Sequence, residues 1–365
     1  INAGVIITVA PGTTVRMADG VGLTVNGDLR SSGPVTFTTA SAPATPGAWT
    51  GITYAPGSNG FLEGATVEYA QHALTLNTSN SISISHSTLR LNRHETSANN
   101  QDAYGAGLLI LDGDHSITYT DIYSNVVRAT GSGAEVYGGA VDIRSGASEF
   151  AHSRIWGNSA TSTRSNGGGG GLVIRAGSAP LIRNSEISSN TLVTNRNLAC
   201  GGGIGIYGTT QAVIRDSWIV ANESVPTGGY AGGGGIGFEA SARALLIDGN
   251  VIASNRAWGT GHSEGGGIDS WDSNAFTVSN NLFYNNSTRT IGGAMNINAN
   301  VSAGNVNIFN NTIVGNSANQ GGGLYRQSNG RVFNNVIVGN TATNTGGGVY
   351  GSSGSAGYND VWGNT

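Results

Sequence analysis

The 365-residue sequence is poor in charge and in cysteine, and it has no long apolar run. Charged residues make up 10% of the chain, the formal net charge is −4, and basic residues do not cluster. This balance argues against a nucleic-acid partner. The single cysteine, Cys200, excludes disulfides within the chain. No apolar stretch is long enough to span a membrane.

Glycine is abundant instead, with 60 residues. The glycines show no Gly-X-Y period and the chain has only 7 prolines, so it is not collagen-like. Hydrophobic residues make up 38% of the sequence, which is enough to bury a core and excludes wholesale disorder.

A short step recurs along the chain, in which an apolar residue is followed three positions later by asparagine. The intervals between successive steps are 33, 33, 32, 32, 33, 31, 30, 24 and 24 residues. Such regular self-similarity indicates a repeat protein. The ten steps are Leu89/Asn92, Ile122/Asn125, Ile155/Asn158, Ile187/Asn190, Ile219/Asn222, Ile252/Asn255, Phe283/Asn286, Ile313/Asn316, Ile337/Asn340 and Val361/Asn364.

A run of small residues and an apolar strand follow most of these asparagines, as in the segment Gly201 to Tyr207. The last two repeats are 24 residues long, whereas earlier ones carry six to nine extra residues between the asparagine and the glycines. A constant unit with variable inserts at one corner is typical of a solenoid.

Each short repeat has room for three strands, and helical spacing is absent, which excludes a βαβ arrangement. A leucine-rich consensus is also absent, and a propeller blade needs roughly 40 residues. The sequence therefore predicts an all-β fold, a single-stranded parallel β-helix of about 12 rungs, stacked about 4.8 Å apart.

Stacking explains the residue types in this prediction. The isoleucines form a ladder in the core, and the glycines allow tight corners. We expect the asparagines to take a left-handed backbone at a bend and to bond to the rungs above and below. A second polar ladder precedes the isoleucines: Ser185, Ser217, Asn250, Asn281, Asn311, Asn335 and Asn359. We interpret all these asparagines as structural.

Residues 1–66 form N-terminal rungs of divergent sequence, and residues 67–365 form regular rungs of the same continuous domain. The strands of this opening are followed by Gly47-Ala48-Trp49-Thr50-Gly51-Ile52. It resembles the start of secreted bacterial right-handed β-helix repeat proteins. Phe283-x-x-Asn286 with Gly292-Gly293-Ala294 resembles the repeats of polymorphic outer-membrane proteins and related surface adhesins. The resemblance covers essentially the whole chain and implies a right-handed fold that is secreted or displayed at the cell surface.

Each end of the sequence leads to a further prediction. The chain begins with Ile1 rather than Met, so we expect a processed or excised segment, and the missing signal peptide does not indicate the cytoplasm. Residues Tyr358 to Thr365 are an unfinished rung. We expect either that the protein continues past Thr365 or that an open end joins copies of the chain end to end.

Outward positions of the strand after the glycines form two ladders, because successive side chains of a strand point to opposite faces. The first is Leu109, Asp142, Val173, Gly205, Gly237, Asp269, Asn296, Tyr325 and Tyr350. The second is Leu111, Arg144, Arg175, Tyr207, Glu239, Trp271, Asn298, Gln327 and Ser352. Charged and aromatic residues are densest from Arg144 to Trp271, a stretch we term the Arg144–Trp271 groove. Long inserts flank it with Tyr230, Trp258, His262 and Glu264.

This groove has the residue types that contact sugars. Predicted carbohydrate-binding residues are the arginine Arg144, which pairs with uronate carboxylates, the stacking rings of Tyr207 and Trp271, and Asp142 and Trp258.

Predicted catalytic residues are Glu239, Asp269 and Arg175. The two residues are predicted one rung apart on a diagonal, so we expect their carboxylates to fall within the roughly 5–9 Å used for glycoside hydrolysis. The alternative is an ordinary soluble strand face, and a one-residue slip in register would turn Trp271 inward.

No cofactor and no metal site are predicted. Asp112-Gly113-Asp114 offers oxygens to calcium, but an Asp-Gly turn explains it as well. Three functions stay open. We favour an extracellular scaffold or adhesion-type protein, such as a filament or surface-layer subunit. The alternatives are a polysaccharide lyase or glycoside hydrolase, and a non-catalytic carbohydrate-binding module using the same groove.

Overall fold

The computed structural model describes residues 1–195, 198–208, 210–239, 245–271, 275–298, 306–327, 330–351 and 354–365, without the side chain of Glu239. Its regular structure consists of strands that pair in parallel from one repeat to the next. The described part of the chain contains no helix, and therefore none long and apolar enough to cross a membrane. The predicted all-β parallel solenoid is confirmed.

Sheet 1 is the longest and contributes two strands to most rungs. Its 24 strands are Ile6–Val9, Thr14–Met17, Asp28–Thr39, Asn59–Glu68, Ser83–Ser85, Thr88–Arg90, Ser116–Thr118, Asp121–Tyr123, Glu149–Ala151, Arg154–Trp156, Leu181–Arg183, Glu186–Ser188, Val213–Arg215, Trp218–Val220, Leu245–Asp248, Val251–Ala253, Phe276–Ser279, Leu282–Tyr284, Val306–Phe309, Thr312–Val314, Arg331–Phe333, Val336–Val338, Ala356–Gly357 and Asp360–Trp362.

Sheet 2 follows the glycine-rich corner. Its 12 strands are Gly22–Val25, Gly51–Tyr54, Leu74–Asn77, Leu108–Asp112, Val141–Ile143, Leu172–Ile174, Ile204–Tyr207, Ile236–Glu239, Ile268–Trp271, Met295–Asn298, Leu324–Arg326 and Val349–Tyr350. Sheet 3 follows the asparagine corner. Its 9 strands are Arg93–Thr96, Val126–Ala129, Ser159–Ser162, Thr191–Thr194, Glu223–Ser224, Arg256–Ala257, Ser287–Thr288, Ser317–Gln320 and Thr341–Thr345.

The sequence predicts about twelve rungs, but fewer of them have all three sides, formed by sheets 1, 2 and 3. Among the described residues, sheet 3 has 9 strands and sheet 2 has 12, because the first three strands of sheet 2 are not preceded by a strand of sheet 3. The described N-terminal rungs are therefore two-sided. Trp49 and Tyr54, the largest fully buried side chains, fill their interior.

The asparagine ladder is built as the repeat predicts. Nδ2 of Asn222 donates to Oδ1 of Asn255 at 3.0 Å and to the carbonyl of Ile187 at 2.8 Å. The backbone N–H of Asn222 donates to the same Oδ1 at 3.0 Å. Both asparagines are fully buried. The ladder thus satisfies polar groups that would otherwise be buried without partners, which makes these asparagines structural.

The left-handed backbone lies one residue earlier than expected. Ser254, with φ 55°, precedes Asn255, and Asn280, with φ 57°, precedes Asn281. The prediction that the ladder asparagines themselves are left-handed is wrong. The residue before them makes the bend, and the asparagine side chain then points inward to bond along the stack.

The glycine corners are tight and are built from glycine with an occasional alanine. Gly233 has φ +62°, and a Cβ built on Gly234 would lie 2.4 Å from the carbonyl oxygen of Gly266 in the next rung. The rungs therefore approach closely at this corner, and where another residue replaces glycine, as at Ala106 and Ala140, its side chain is a single methyl group.

The inserts form a fourth sheet, which we term the cover sheet. Its strands are Ala103–Tyr104, Val136–Tyr137, Gly167–Gly168, Leu198–Cys200, Tyr230–Gly232 and Ser263–Glu264. It packs on sheet 3 through a small apolar core separate from the main one: Ala103, Ala106, Val127, Ala129, Ala134, Val136, Ala160, Leu192 and Ala199. Its other edge lies over sheet 2, since a Cβ on Gly232 would meet Oδ2 of Asp269 at 2.3 Å.

Candidate functional site

The pairing register confirms the first ladder of sheet 2 and, in the second ladder, the stretch from Tyr207 to Asn298. Asp142 pairs with Val173, and Asp269 pairs with Gly237 and Asn296. Tyr207, Glu239 and Trp271 follow one another on successive rungs. Trp271 is 42% exposed, so the strand has not slipped and its indole points outward.

The first ladder points away from the main core but does not reach solvent. Asp142 and Asn296 are fully buried, and Asp269 is 2% exposed. The cover sheet is the reason, since it folds over this side of sheet 2 and turns an outer face into an inner layer.

Asp142 holds two arginines in place. Its carboxylate accepts a hydrogen bond from Nε of Arg144 at 2.9 Å, and bonds from Nε and Nη2 of Arg175 at 2.9 and 3.0 Å. The guanidinium carbon of Arg144 lies 4.0 Å from the ring centre of Tyr104, and that of Arg175 lies 3.9 Å from the ring centre of Tyr137. Each guanidinium is thus fixed by a carboxylate and an aromatic face.

These two arginines and Tyr207 line an open cavity of about 530 Å³, together with Ala176 and Gly208. The structure therefore brings together three residues that the sequence predicts for this groove. The sequence predicts that Asp142 contacts carbohydrate. In the structure it lies beneath the arginines and is fully buried, so it is out of reach of a ligand.

A second polar cluster lies further along the stack. The hydroxyl of Tyr230 is 2.8 Å from Oε2 of Glu264 and 2.8 Å from Oδ2 of Asp269. Nδ2 of Asn296 donates to Oε2 of Glu264 at 2.6 Å and to Oδ1 of Asp269 at 2.8 Å. Two carboxyl groups thus share the same two donor groups.

This geometry requires a bound proton. A tyrosine hydroxyl has one hydrogen, so it can donate to one carboxylate and must accept from the other, which is then protonated. Burial raises the pKa of Asp269 to about 8, and the charge of Glu264 adds to the rise. Burial also raises the pKa of Glu264 and that of Tyr230. Asp269 therefore holds the proton at neutral pH.

The cluster borders a cavity of about 460 Å³ lined by Gly229, Tyr230, Gly261, His262, Glu264 and Trp271. The rings of Tyr230 and Trp271 meet edge to face, with centroids 4.9 Å apart at 83°. His262 is largely exposed, with Nδ1 3.8 Å from Oε1 of Glu264. We term this the Glu264 cavity.

The remaining predicted residues are dispersed. The backbone of Glu239 lies between Tyr207 and Trp271, but its side chain, like Ser352 of the same ladder, lies outside the described residues. Its distance from Asp269 stays a prediction. Trp258 stands apart from both cavities as described, with the guanidinium carbons of Arg256 and Arg289 at 5.3 and 4.9 Å from its ring centre.

Oxygen ligands for a metal do not converge in the described part of the chain, where no group of three or more His, Cys, Asp and Glu side chains is placed to hold one. In the Asp112-Gly113-Asp114 segment, Gly113 has φ +93° and Oδ1 of Asp114 accepts a bond from the backbone of Ala147 at 2.6 Å. This is the geometry of a turn tied to the next rung.

Sequence reasoning placed Glu264 only on the wall of the groove and missed its pairing with Asp269. One signal was available. The residue before each glycine corner forms its own ladder, which reads Tyr104, Tyr137, Gly168, Cys200, Gly232, Glu264, Ile291 and Gln320. Glu264 is the charged residue of this ladder, and a charge among neutral residues marks a special position.

A protein family described as "Right handed beta helix region" matches residues 96–283. Comparison with curated proteins found no match, and neither did comparison with solved structures. The matched segment is just over half of the chain and contains both cavities. The chain therefore belongs to the right-handed β-helix family.

Proposed function

We propose that this protein is a non-catalytic extracellular or cell-surface β-helix scaffold that binds an acidic polysaccharide through Arg144, Arg175 and Tyr207. The observation that carries the proposal is the pair of arginines fixed on successive rungs at the wall of one cavity.

The arginines suit a carboxylate ligand. Among the described residues, Arg144 binds Asp142 through Nε alone, so its terminal nitrogens can bind a ligand. Asp142 hydrogen-bonds both guanidinium groups, and the charge of Asp102 also acts on Arg175. Arg144 is therefore the less neutralised of the two arginines. Because Tyr104 and Tyr137 fix the side chains in advance, little rotamer entropy is lost on binding. The ring of Tyr207, one rung further, offers a surface to a sugar ring.

The candidate catalytic residues support binding rather than turnover. Arg175 is tied to Asp142, and Asp269 is buried with both its oxygens bonded. Glycoside hydrolysis is the second candidate function, and the observation that favours it is a carboxyl group of raised pKa, Glu264, at a cavity wall.

The test is calorimetric titration with polygalacturonate, and with dextran as a neutral polymer. We expect polygalacturonate alone to bind, with affinity that falls as salt is added. Arg144→Gln leaves Asp142 paired with Arg175 and should weaken binding about tenfold. Arg154→Gln is the matched control, since Arg154 is an exposed arginine paired with Asp121 on sheet 1.

Equal affinity of the Arg144→Gln variant and the unchanged protein would overturn the proposed site. Release of reducing or unsaturated ends during incubation would show that the protein cleaves the polymer. If Glu264→Gln abolishes this release, glycoside hydrolysis replaces non-catalytic binding as the function.

A further inference from the structure

The Glu264 cavity contains a negative charge that has no arginine or lysine partner among the described residues. The chain has no lysine, and among the described residues no arginine lies within ion-pair distance of Glu264 or Asp269. Only His262 approaches, with its ring nitrogen 3.8 Å from Oε1 of Glu264 and its side chain 73% exposed. Buried charges in proteins are ordinarily paired.

The cluster also has more acceptors than donors. Oε1 of Glu264 accepts no hydrogen bond from the described residues, because Tyr230 and Asn296 both contact Oε2. The amide oxygen of Asn296 is buried and finds no donor in the described part of the chain. With one shared proton on the carboxyl pair, one negative charge remains, and it lies on Glu264 at the cavity wall.

Aromatic rings flank this charge. Tyr230 and Trp271 stand perpendicular to each other in the wall of the same cavity, and Trp271 is 42% exposed. An aromatic face beside a carboxylate attracts cations through the ring quadrupole and the charge together.

We propose that the Glu264 cavity binds a primary alkylammonium group, with Glu264 as its counter-ion and hydrogen-bond acceptor and Trp271 as its aromatic wall. A primary ammonium supplies both the positive charge and the donors that the cluster lacks. The ligand is an amine, such as an amino sugar or a lysine-like side chain. This site is independent of the acidic-polysaccharide site, because it has the opposite charge and different residues.

The test is titration of the protein with butylammonium chloride, followed by calorimetry and by the indole N–H resonance of Trp271. We expect saturable binding on the order of 1 mM. Tetramethylammonium, which has charge but no N–H, should bind about tenfold more weakly, and sodium chloride should not shift the resonance.

Variants make the assignment specific. Glu264→Gln keeps the size of the side chain and its contacts with Tyr230 and Asn296 but removes the charge, so it should weaken butylammonium binding about tenfold or more. Glu186→Gln, a carboxylate on sheet 1, is the matched control and should bind as the unchanged protein does. Trp271→Leu, a surface change, should also weaken binding and does not depend on the buried cluster for folding.

The pH profile gives a second readout. The groups that face Glu264 are Tyr230, His262, Asp269 and Asn296. Affinity should fall at low pH, as Glu264 gains a proton, and should rise as Asp269 loses its proton.

Absence of a saturable shift with butylammonium would overturn the proposal, as would equal binding by the Glu264→Gln and unchanged proteins. Equal binding of tetramethylammonium and butylammonium would overturn the assignment of a primary amine. None of these outcomes affects the titration with polygalacturonate.

Discussion

Asp269 shows at the scale of one residue how an added layer changes chemistry. Alternation along the strand Ile268–Trp271 points its side chain away from the main core, where a carboxylate would ordinarily meet water. The cover sheet brings Tyr230 and Glu264 onto it instead, and burial raises its pKa to about 8. The sequence thus predicts an exposed carboxylate at position 269, whereas in the fold the carboxyl group is buried and holds a proton.

This shift predicts a specific pH dependence of stability. Because the pKa of Asp269 is higher in the folded than in the unfolded chain, the folded state holds its proton across the range from about pH 4 to about 8. Stability should therefore fall as pH rises through this range. Asp269→Asn keeps the side chain neutral and should be more stable than the unchanged protein at pH 9, by on the order of 2 kcal/mol.

Calorimetric melting of both proteins at pH 5 and pH 9 checks this. The difference between their melting temperatures should be larger at pH 9, whereas melting curves that shift in parallel would contradict the raised pKa. Asp121→Asn is the control, because Asp121 is a partly exposed carboxylate in a surface ion pair with Arg154.

At the scale of elements, the asparagine corner and the glycine corner differ in the side chains that they accept. The asparagine corner accepts serine, glycine, alanine or asparagine at its left-handed position, as Ser189, Ala221 and Ser254 show. The glycine corner accepts nothing larger than alanine in the described rungs, as Ala106 and Ala294 show, because the backbone of the next rung lies close to it. Two corners of the same solenoid thus impose different constraints on sequence.

This contrast predicts the cost of adding one carbon. In Gly234→Ala the new Cβ would lie 2.4 Å from the carbonyl oxygen of Gly266, so the rungs must separate. We expect a loss of about 1–3 kcal/mol in the free energy of unfolding, measured by denaturant titration. Gly157→Ser should cost less, since Gly157 has open space around it and Ser124 and Ser189 hold the equivalent place. Equal stability of the two variants would show that the corner is less tight than described.

The cover sheet is the element that the sequence did not predict. The inserts differ in length and carry no shared step, so their hydrogen bonds to one another cannot be read from spacing. Their strands are only two or three residues long and rest on alanine-rich contacts such as Ala160 and Ala199. Such strands gain their order from stacking on a neighbouring rung, which is a tertiary interaction.

At the scale of the whole molecule, the solenoid arranges two cavities of opposite charge along one side. Arg175 and Trp271 are three rungs apart on the second ladder, about 14 Å at the ordinary strand spacing. An acidic and an amine-bearing ligand can therefore be bound at the same time.

Binding at the two cavities should be nearly additive. The separation exceeds the screening length of roughly 8 Å at physiological salt, so saturating butylammonium should change the Kd for polygalacturonate less than about twofold. Calorimetric titration of polygalacturonate with and without the amine measures this. Strong competition would mean that one ligand covers both cavities, whereas unchanged affinity supports two sites.

The sequence by itself determined the solenoid, the register of sheet 2 and the structural role of the asparagines. It could do so because a stacked repeat places equivalent residues on top of one another, and their periodicity is visible without coordinates. It also brought Arg144, Arg175 and Tyr207 into one groove. Only the tertiary structure decided which outward residues meet solvent. The cover sheet buries Asp142 and Asp269 and pairs Asp269 with Glu264, through contacts between insert and strand that follow no period in the chain.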